Sequence, residues 1–251
     1  MAAPQPGSEP AAPLASESQL AQLVAVVEGE LLAGLTLCSP DPHNPVELQR
    51  VPEPWRLLGR GNFAAVLLHP LHPRVVVKVY APGRPGIEEE VEVYRRLGVH
   101  PAFSRCLHAG DGYLVLRRLE GVTFYECLHL GIPIPPQAIR DIDAALAHVG
   151  SLGLYGHDVH GRNVILHEGR GRIVDVSDFL NPEPCRAWRD LRWAYWVLYR
   201  PLILPLRLRA SRSLLNGVRR AYRIVRRLLG EGARQGGARS PAPGSGPAGR
   251  R

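Results

Sequence analysis

Lysine is almost missing from this chain: among 31 basic residues only Lys78 is a lysine, and the rest are arginines. Arginine serves wherever a solvated charge is enough, but a planar guanidinium does not replace a compact ammonium. Position 78 is thus the one place where the chain keeps a compact ammonium. Cysteine is also scarce. Cys38, Cys106, Cys127 and Cys185 are widely spaced with no Cys-x-x-Cys pair. That pattern suggests no disulfide or metal framework and suits a reducing cytoplasm. No apolar run reaches the roughly 20 residues of a bilayer span. The most apolar stretch, Trp193 to Leu206, is interrupted by Arg200, Pro201 and Pro205. The start of the chain lacks the charged-then-apolar pattern of a secretion signal, so a cytoplasmic protein is expected. Acids are lacking in one region only. From Arg207 to Arg251 there are twelve arginines and one acid, Glu231, a local charge of +11 within a net charge of +8. Residues 1–206 thus carry −3, and the basic character belongs to the C-terminal segment.

What is present is enough for one domain or two small lobes: 251 residues, 45% of them hydrophobic. Residues 1–17 and 230–251 are poor in bulky apolar groups and are expected as disordered tails. Helical spacing of apolar residues predicts a helix over 18–36, followed by a Pro-rich linker to residue 54. Strand, glycine turn and strand follow, through Gly59, Gly61 and the β-branched run around Lys78. A helix is expected over 87–98, a strand over 113–121 and a helix over 135–152. Residues 153–179 read as loop, short strand, turn and short strand. The rest, 186–229, reads as helical with breaks at Pro201 and Pro205. A β-rich first half is thus joined to a helical second half near Leu119–Gly121.

Three features carry chemistry. Gly59-Arg60-Gly61-Asn62-Phe63 lies between strands, where glycines let backbone amides approach phosphate oxygens; read alone, it is also a tight turn. Lys78 lies inside an apolar strand, where a bare ammonium is costly, and the next helix offers Glu88, Glu89, Glu90 and Glu92 as partners. Snorkelling of the lysine to solvent is the other reading. Asp158 and Asn163 are five residues apart in HDVHGRN, and Asp175 ends a short strand twelve residues later. Together they form a hard-oxygen set suited to Mg²⁺, with Asp158 free to accept a hydroxyl proton. Asx turns within the loop are the alternative.

In this order and spacing the segments resemble the protein-kinase-like superfamily over about residues 55–200. GRGNFAAV resembles the nucleotide-covering loop, with Ala64 where a third glycine would stand. VVVKVY resembles the phosphate-binding strand, EEEVEVYRRL the helix supplying its glutamate (Glu90 by register), YLVLRRLEG the hinge, YGHDVHGRNVIL the catalytic loop and IVDVSDF the metal-binding segment. The pattern is most similar to small atypical bacterial serine/threonine kinases, and similar also to lipopolysaccharide-sugar and aminoglycoside kinases. The resemblance implies an α+β bilobal fold, with a small antiparallel β N-lobe containing one helix (55–119) and a short, mainly helical C-lobe (120–229). It implies Asp158 and Lys78 as catalytic residues and Gly59, Gly61, Phe63, Val66, Lys78, Glu90, Leu116 and Glu120 as the nucleotide site. Asn163 and Asp175 become the ligands of Mg²⁺, with Mn²⁺ as a substitute, and ATP the donor to a hydroxyl of a protein or small molecule. A pseudokinase scaffold is the remaining alternative. Gly156 and His157 stand in place of the usual His-Arg pair, and no long activation segment precedes Trp188. Asp190, in an Arg-Asp-Leu triplet, is expected beneath the catalytic loop.

Residues 211–229 put Leu214, Leu215, Val218, Tyr222, Val225 and Leu229 on one side of a helix and arginines on much of the other. Two readings stand: a helix lying peripherally on an anionic membrane surface, or a terminal helix packed apolar-side-in on the large lobe. The three upstream aromatics, Trp193, Tyr195 and Trp196, give little support to nucleic-acid stacking, and no specific nucleic acid is expected.

Overall fold

The computed structural model describes residues 17–206 and 208–228; the expected tails, Glu17 apart, lie outside them. A helix over Glu17–Val26 (α1) widens into a π-helical turn, Val27–Leu31, and closes as Leu32–Gly34 (α2). The stretch expected as a Pro-rich linker then forms an antiparallel strand pair, Thr36–Cys38 (β1) and Glu47–Arg50 (β2). Its prolines at 40, 42 and 45 fall between the strands, where a missing N–H breaks no ladder.

Five further strands build the main sheet. Arg56–Arg60 (β3), Ala64–Leu68 (β4) and Val75–Tyr80 (β5) precede the helix Ile87–Leu97 (α3), and Cys106–Gly110 (β6) and Tyr113–Arg117 (β7) follow it. The order is β3-β4-β5-β7-β6, antiparallel throughout. Alternation along the strands gives the sheet two apolar faces. On one, Leu67, Val75, Val77, Val79 and Val115 pack against Leu23, Val27 and Leu31 of the first helix and against Val46 and Trp55. On the other, Ala64, Val76, Tyr80, Leu114 and Leu116 join a core that continues into the second lobe. Residues 17–54 therefore share the core of the sheet lobe.

The connector leaves β7 through Gly121, whose φ is 147° and whose missing Cβ would stand 2.6 Å from the Leu166 carbonyl. Only glycine fits there. Val122–Thr123 (β8) opens the second lobe, followed by Phe124–Leu130 (α4), Pro136–Ser151 (α5), Val164–His167 (β9) and Arg170–Ile173 (β10). The helix α4, capped by the Thr123 hydroxyl accepting from the Glu126 N–H at 3.1 Å, had no counterpart among the expectations. The buried stripe of α5 is Ala138, Ile139, Ile142, Ala145 and Val149, at helical spacing.

Ala187–Ala194 (α6) runs directly into a π-helical stretch, Tyr195–Ile203, and the chain ends its described part in Arg212–Leu228 (α7). Pro201, expected to break the helix, lies inside the π-helical stretch. The wider turn moves the preceding carbonyls away from the ring, which relieves the clash that breaks an α-helix. The molecule is thus α+β and bilobal: an antiparallel sheet lobe on a mainly helical one. A parallel bridge between Phe103 and Ile173 ties the two.

Candidate functional site

The site begins with the alternation of β5. Val75, Val77 and Val79 point to the outer face, so Lys78 must share the inner face with Val76 and Tyr80. In α3 the buried stripe is Glu90, Val93, Tyr94 and Leu97, spaced as one helical face. A carboxylate thus occupies a position where an apolar residue would ordinarily stand. The two meet: Lys78 Nζ lies 2.7 Å from Glu90 Oε2. Glu90 is 1% exposed and the Lys78 side chain 12%, so the pair is nearly dry. The Tyr80 hydroxyl also donates to Glu90 Oε2. Tyr80 is a member of the site that sequence reading missed; its signal was its place two residues beyond Lys78 on the same strand face.

The ammonium reaches a second acid, Asp175 Oδ1, at 3.3 Å across 97 residues of sequence. Burial disfavours the charged lysine, but Asp175 and Glu90 outweigh it and hold the ammonium protonated well above its ordinary range. Burial raises the Asp175 carboxyl, yet Lys78 and the hydrogen bonds from Ser177, including its backbone N–H at 3.2 Å, bring it below the usual range.

The loop before β9 holds Asp158 with φ 54°, a left-handed conformation uncommon for a non-glycine residue. The loop is pinned from several sides. Asp158 N–H donates to Cys185 Sγ at 3.4 Å, and the Asn163 side-chain amide donates to the Asp158 carbonyl at 3.1 Å. The Asn163 N–H bonds the His160 carbonyl at 2.9 Å, and the Asn163 carbonyl receives the Val174 N–H at 3.0 Å. That last bond joins the loop to the segment carrying Asp175. Burial, with Asp175 adding to it, raises the Asp158 carboxyl; His160, His157 and Arg219 act the other way. His160 Nε2 is 3.8 Å from Asp158 Oδ2. Asp178, which the sequence reading did not single out, has its carboxyl raised by burial and by the charges of Asp158 and Asp175. It belongs to the same acid cluster. His157 is buried and its ring reaches Asn181 at 3.5 Å.

The remaining expected residues are placed as follows. Gly59 ends up within β3, and the turn proper is Gly61, Asn62 and Phe63. Gly61 N–H bonds the Ala64 carbonyl at 2.9 Å, and Phe63 is partly exposed with its carbonyl accepting the Ala81 N–H at 2.8 Å. Val66 lies directly opposite Lys78 in the ladder. Leu116 is buried in β7, in the core shared by the two lobes. Glu120 lies in the connector with its side chain largely exposed, 3.6 Å from Arg118. Asp190, expected beneath the catalytic loop, accepts the Tyr222 hydroxyl of α7 at 2.8 Å and lies 3.6 Å from Arg189. The bond to Tyr222 ties α6 to the C-terminal helix. Among the described residues no group of three or more His, Cys, Asp or Glu forms a ready metal cage.

No family model matches the chain. Among solved structures, a point mutant of the Mycobacterium tuberculosis PknI kinase domain aligns with a TM-score of 0.38 and 21% identity, over 51% of this chain and 59% of that one. Among known proteins, the chain is 33% identical over 156 residues to the Bacillus subtilis (strain 168) protein named "Putative serine/threonine-protein kinase YrzF". That match covers 61% of this chain and 73% of the relative. Identity of this extent, over most of the relative's length, shows that the chain belongs to the protein-kinase-like superfamily and is a kinase.

Proposed function

We propose that the protein transfers the γ-phosphoryl group of ATP, with Mg²⁺, to a hydroxyl, and that the acceptor is a protein serine or threonine. The observation that carries this reading is the chain of contacts Glu90–Lys78–Asp175, which brings a strand, a helix and a distant loop to one ammonium. The glycines supply a test of fit. Gly59 and Gly61 have no positive φ, and a Cβ on either would meet no atom closer than 3.9 Å. Neither backbone conformation nor packing requires glycine there, whereas close approach of a phosphate to backbone amides does. Phe63 and Val66 would flank the nucleotide on one side, and Leu116 and Glu120 would receive its base at the connector. Asn163, whose amide nitrogen is engaged by the Asp158 carbonyl, keeps its oxygen for a cation, and Asp175 supplies the second ligand. Mg²⁺ (or Mn²⁺) bound there would neutralise phosphate charge.

In this reading Lys78, fixed by Glu90, orients the phosphates. Asp158 takes the proton of the acceptor hydroxyl, its carboxyl raised by burial toward a useful basicity. A second acceptor class, a sugar or other small-molecule hydroxyl, is favoured by one observation: α6 begins at Ala187, too soon after Asp175 for a long peptide-docking segment. We propose further that the enzyme is cytoplasmic, where free thiols persist, and rests peripherally on the membrane; the exposed Leu214, Val218 and Val225 of α7 support the latter.

The test is ATP turnover with Mg²⁺ for wild type, Lys78→Arg, Asp158→Ala and Asp175→Ala. Each variant is expected to fold and to lose roughly 10²–10³-fold or more in rate. Four rates indistinguishable from a blank would leave the scaffold reading in place. Near-normal turnover by Lys78→Arg would show that the ammonium has another task. Phosphoamino-acid analysis of the incubated protein separates the two acceptor classes.

A further inference from the structure

The C-terminal helix α7 lies on the large lobe with almost all of its described side chains exposed, Leu215 alone being partly buried. It touches the lobe through polar groups. Asn216 Oδ1 accepts from the Tyr125 hydroxyl at 3.0 Å and from Arg162 of the catalytic loop at 2.9 Å. Arg212 lies 3.3 Å from Glu126, and the Tyr222 hydroxyl donates to Asp190. Arg219 lies one turn from both Asn216 and Tyr222 on this same side, which turns it toward the catalytic loop. Leu214, Val218 and Val225, spaced four and seven apart, form the opposite stripe, and they are 60%, 59% and 51% exposed. Of the side expected to pack inward, Leu215 is partly buried and Tyr222 reaches the lobe, while this stripe stays open. Trp193, one turn beyond Asp190 on α6, is 65% exposed. Among the described residues nothing covers this stripe.

An apolar stripe left open on a helix whose segment carries +11 calls for a partner that is apolar inside and negative at its surface. A second copy of the chain offers the apolar part but brings the same positive charge. We infer that α7, with Trp193 beside it, is a docking surface for an anionic lipid bilayer, sandwiched between the membrane and the catalytic loop. The stripe enters the headgroup–acyl boundary and arginines of the segment other than Arg212 and Arg219 meet anionic headgroups, while Asn216 and Tyr222 hold the lobe against the helix. Docking of this kind does not depend on phosphotransfer. Its consequence, that the Asp158 loop faces the membrane and works on acceptors held at its surface, rests on the function proposed above.

The experiment uses the full chain and vesicles of phosphatidylcholine, with or without phosphatidylglycerol. The wild type is expected to co-sediment with the anionic vesicles, roughly tenfold or more above the neutral ones, less so at high salt, with a blue shift of tryptophan emission. The variant Leu214→Glu/Val218→Glu/Val225→Glu alters only exposed positions. It is expected to keep its melting temperature and to lose at least about tenfold in binding. Equal binding by wild type and variant, equal binding to neutral vesicles, or no binding would each overturn the proposal. So would concentration-dependent dimerisation that the variant abolishes, which would assign the stripe to a second copy. Asp158→Ala should bind vesicles like the wild type. Vesicle binding without any ATP turnover in the wild type would retire the phosphotransfer reading and leave the docking surface standing.

Discussion

Asp158 combines a left-handed backbone with a carboxyl lifted by burial and by Asp175, two features that tertiary structure imposes on one residue. The raised value has a direct kinetic sign. As pH falls, Asp158 is protonated sooner than an ordinary aspartate, whose value is about 3.9, and a protonated carboxyl accepts no hydroxyl proton. The acid limb of kcat/KM is therefore expected above the ordinary aspartate range, and a pH profile of ATP-dependent transfer measures it. An acid limb at or below about 3.9 would contradict the assignment of Asp158 as base. Lys78 shows how much one residue can disclose in advance. Its uniqueness and its apolar neighbours are sequence facts, and strand alternation already puts it on the face opposite Val77 and Val79. Glu90 is legible in the same way, as the acid that falls in line with Val93, Tyr94 and Leu97. Tyr80 was legible only as a neighbour of Lys78 on the same strand face, and Asp178 was not legible, because nothing local marks an exposed-looking aspartate as a partner of groups far along the chain.

At the scale of elements, the glycines differ in what holds them in place. Gly121 is forced by its φ and by the Leu166 carbonyl, while Gly59 and Gly61 are forced by neither. Gly59→Ala and Gly61→Ala are accordingly expected to change stability by less than about 1 kcal/mol, either way. Both should raise the KM for ATP. Thermal melting and steady-state kinetics on the same preparations check this, and a large loss of stability with unchanged KM would return the turn to a purely structural role. The short strands β1, β2 and β6 and the helix α4 escaped the sequence reading for a common reason. Each is three to seven residues long, too short for periodicity to outweigh the proline and polar residues around it.

Across the whole molecule, the first helix is the clearest case of tertiary decision. Its amphipathic spacing was visible, but its target was not. Leu23, Val27 and Leu31 cover the outer face of the sheet, so residues 17–34 close the small lobe's second core. Leu31 is fully buried, and Leu31→Ala is expected to cost about 2–5 kcal/mol of folding stability. Chemical denaturation measures it; a cost below about 0.5 kcal/mol would mean that the helix is an appendage of the lobe. The same covering leaves the inner face of β5 free to present Lys78 toward the second lobe.

The sequence by itself determined the lysine, the acids and their order, because strand and helix periodicities assign faces from local spacing alone. It also determined that the positive charge is gathered at the C-terminal end. Only the tertiary structure decided which acid lies 3.3 Å from Lys78, that Asp190 answers Tyr222, and that Asn216 of α7 meets Arg162. Those outcomes depend on contacts between residues tens of positions apart. A helix's own pattern says that it has two faces, and only its neighbours decide which of them is covered.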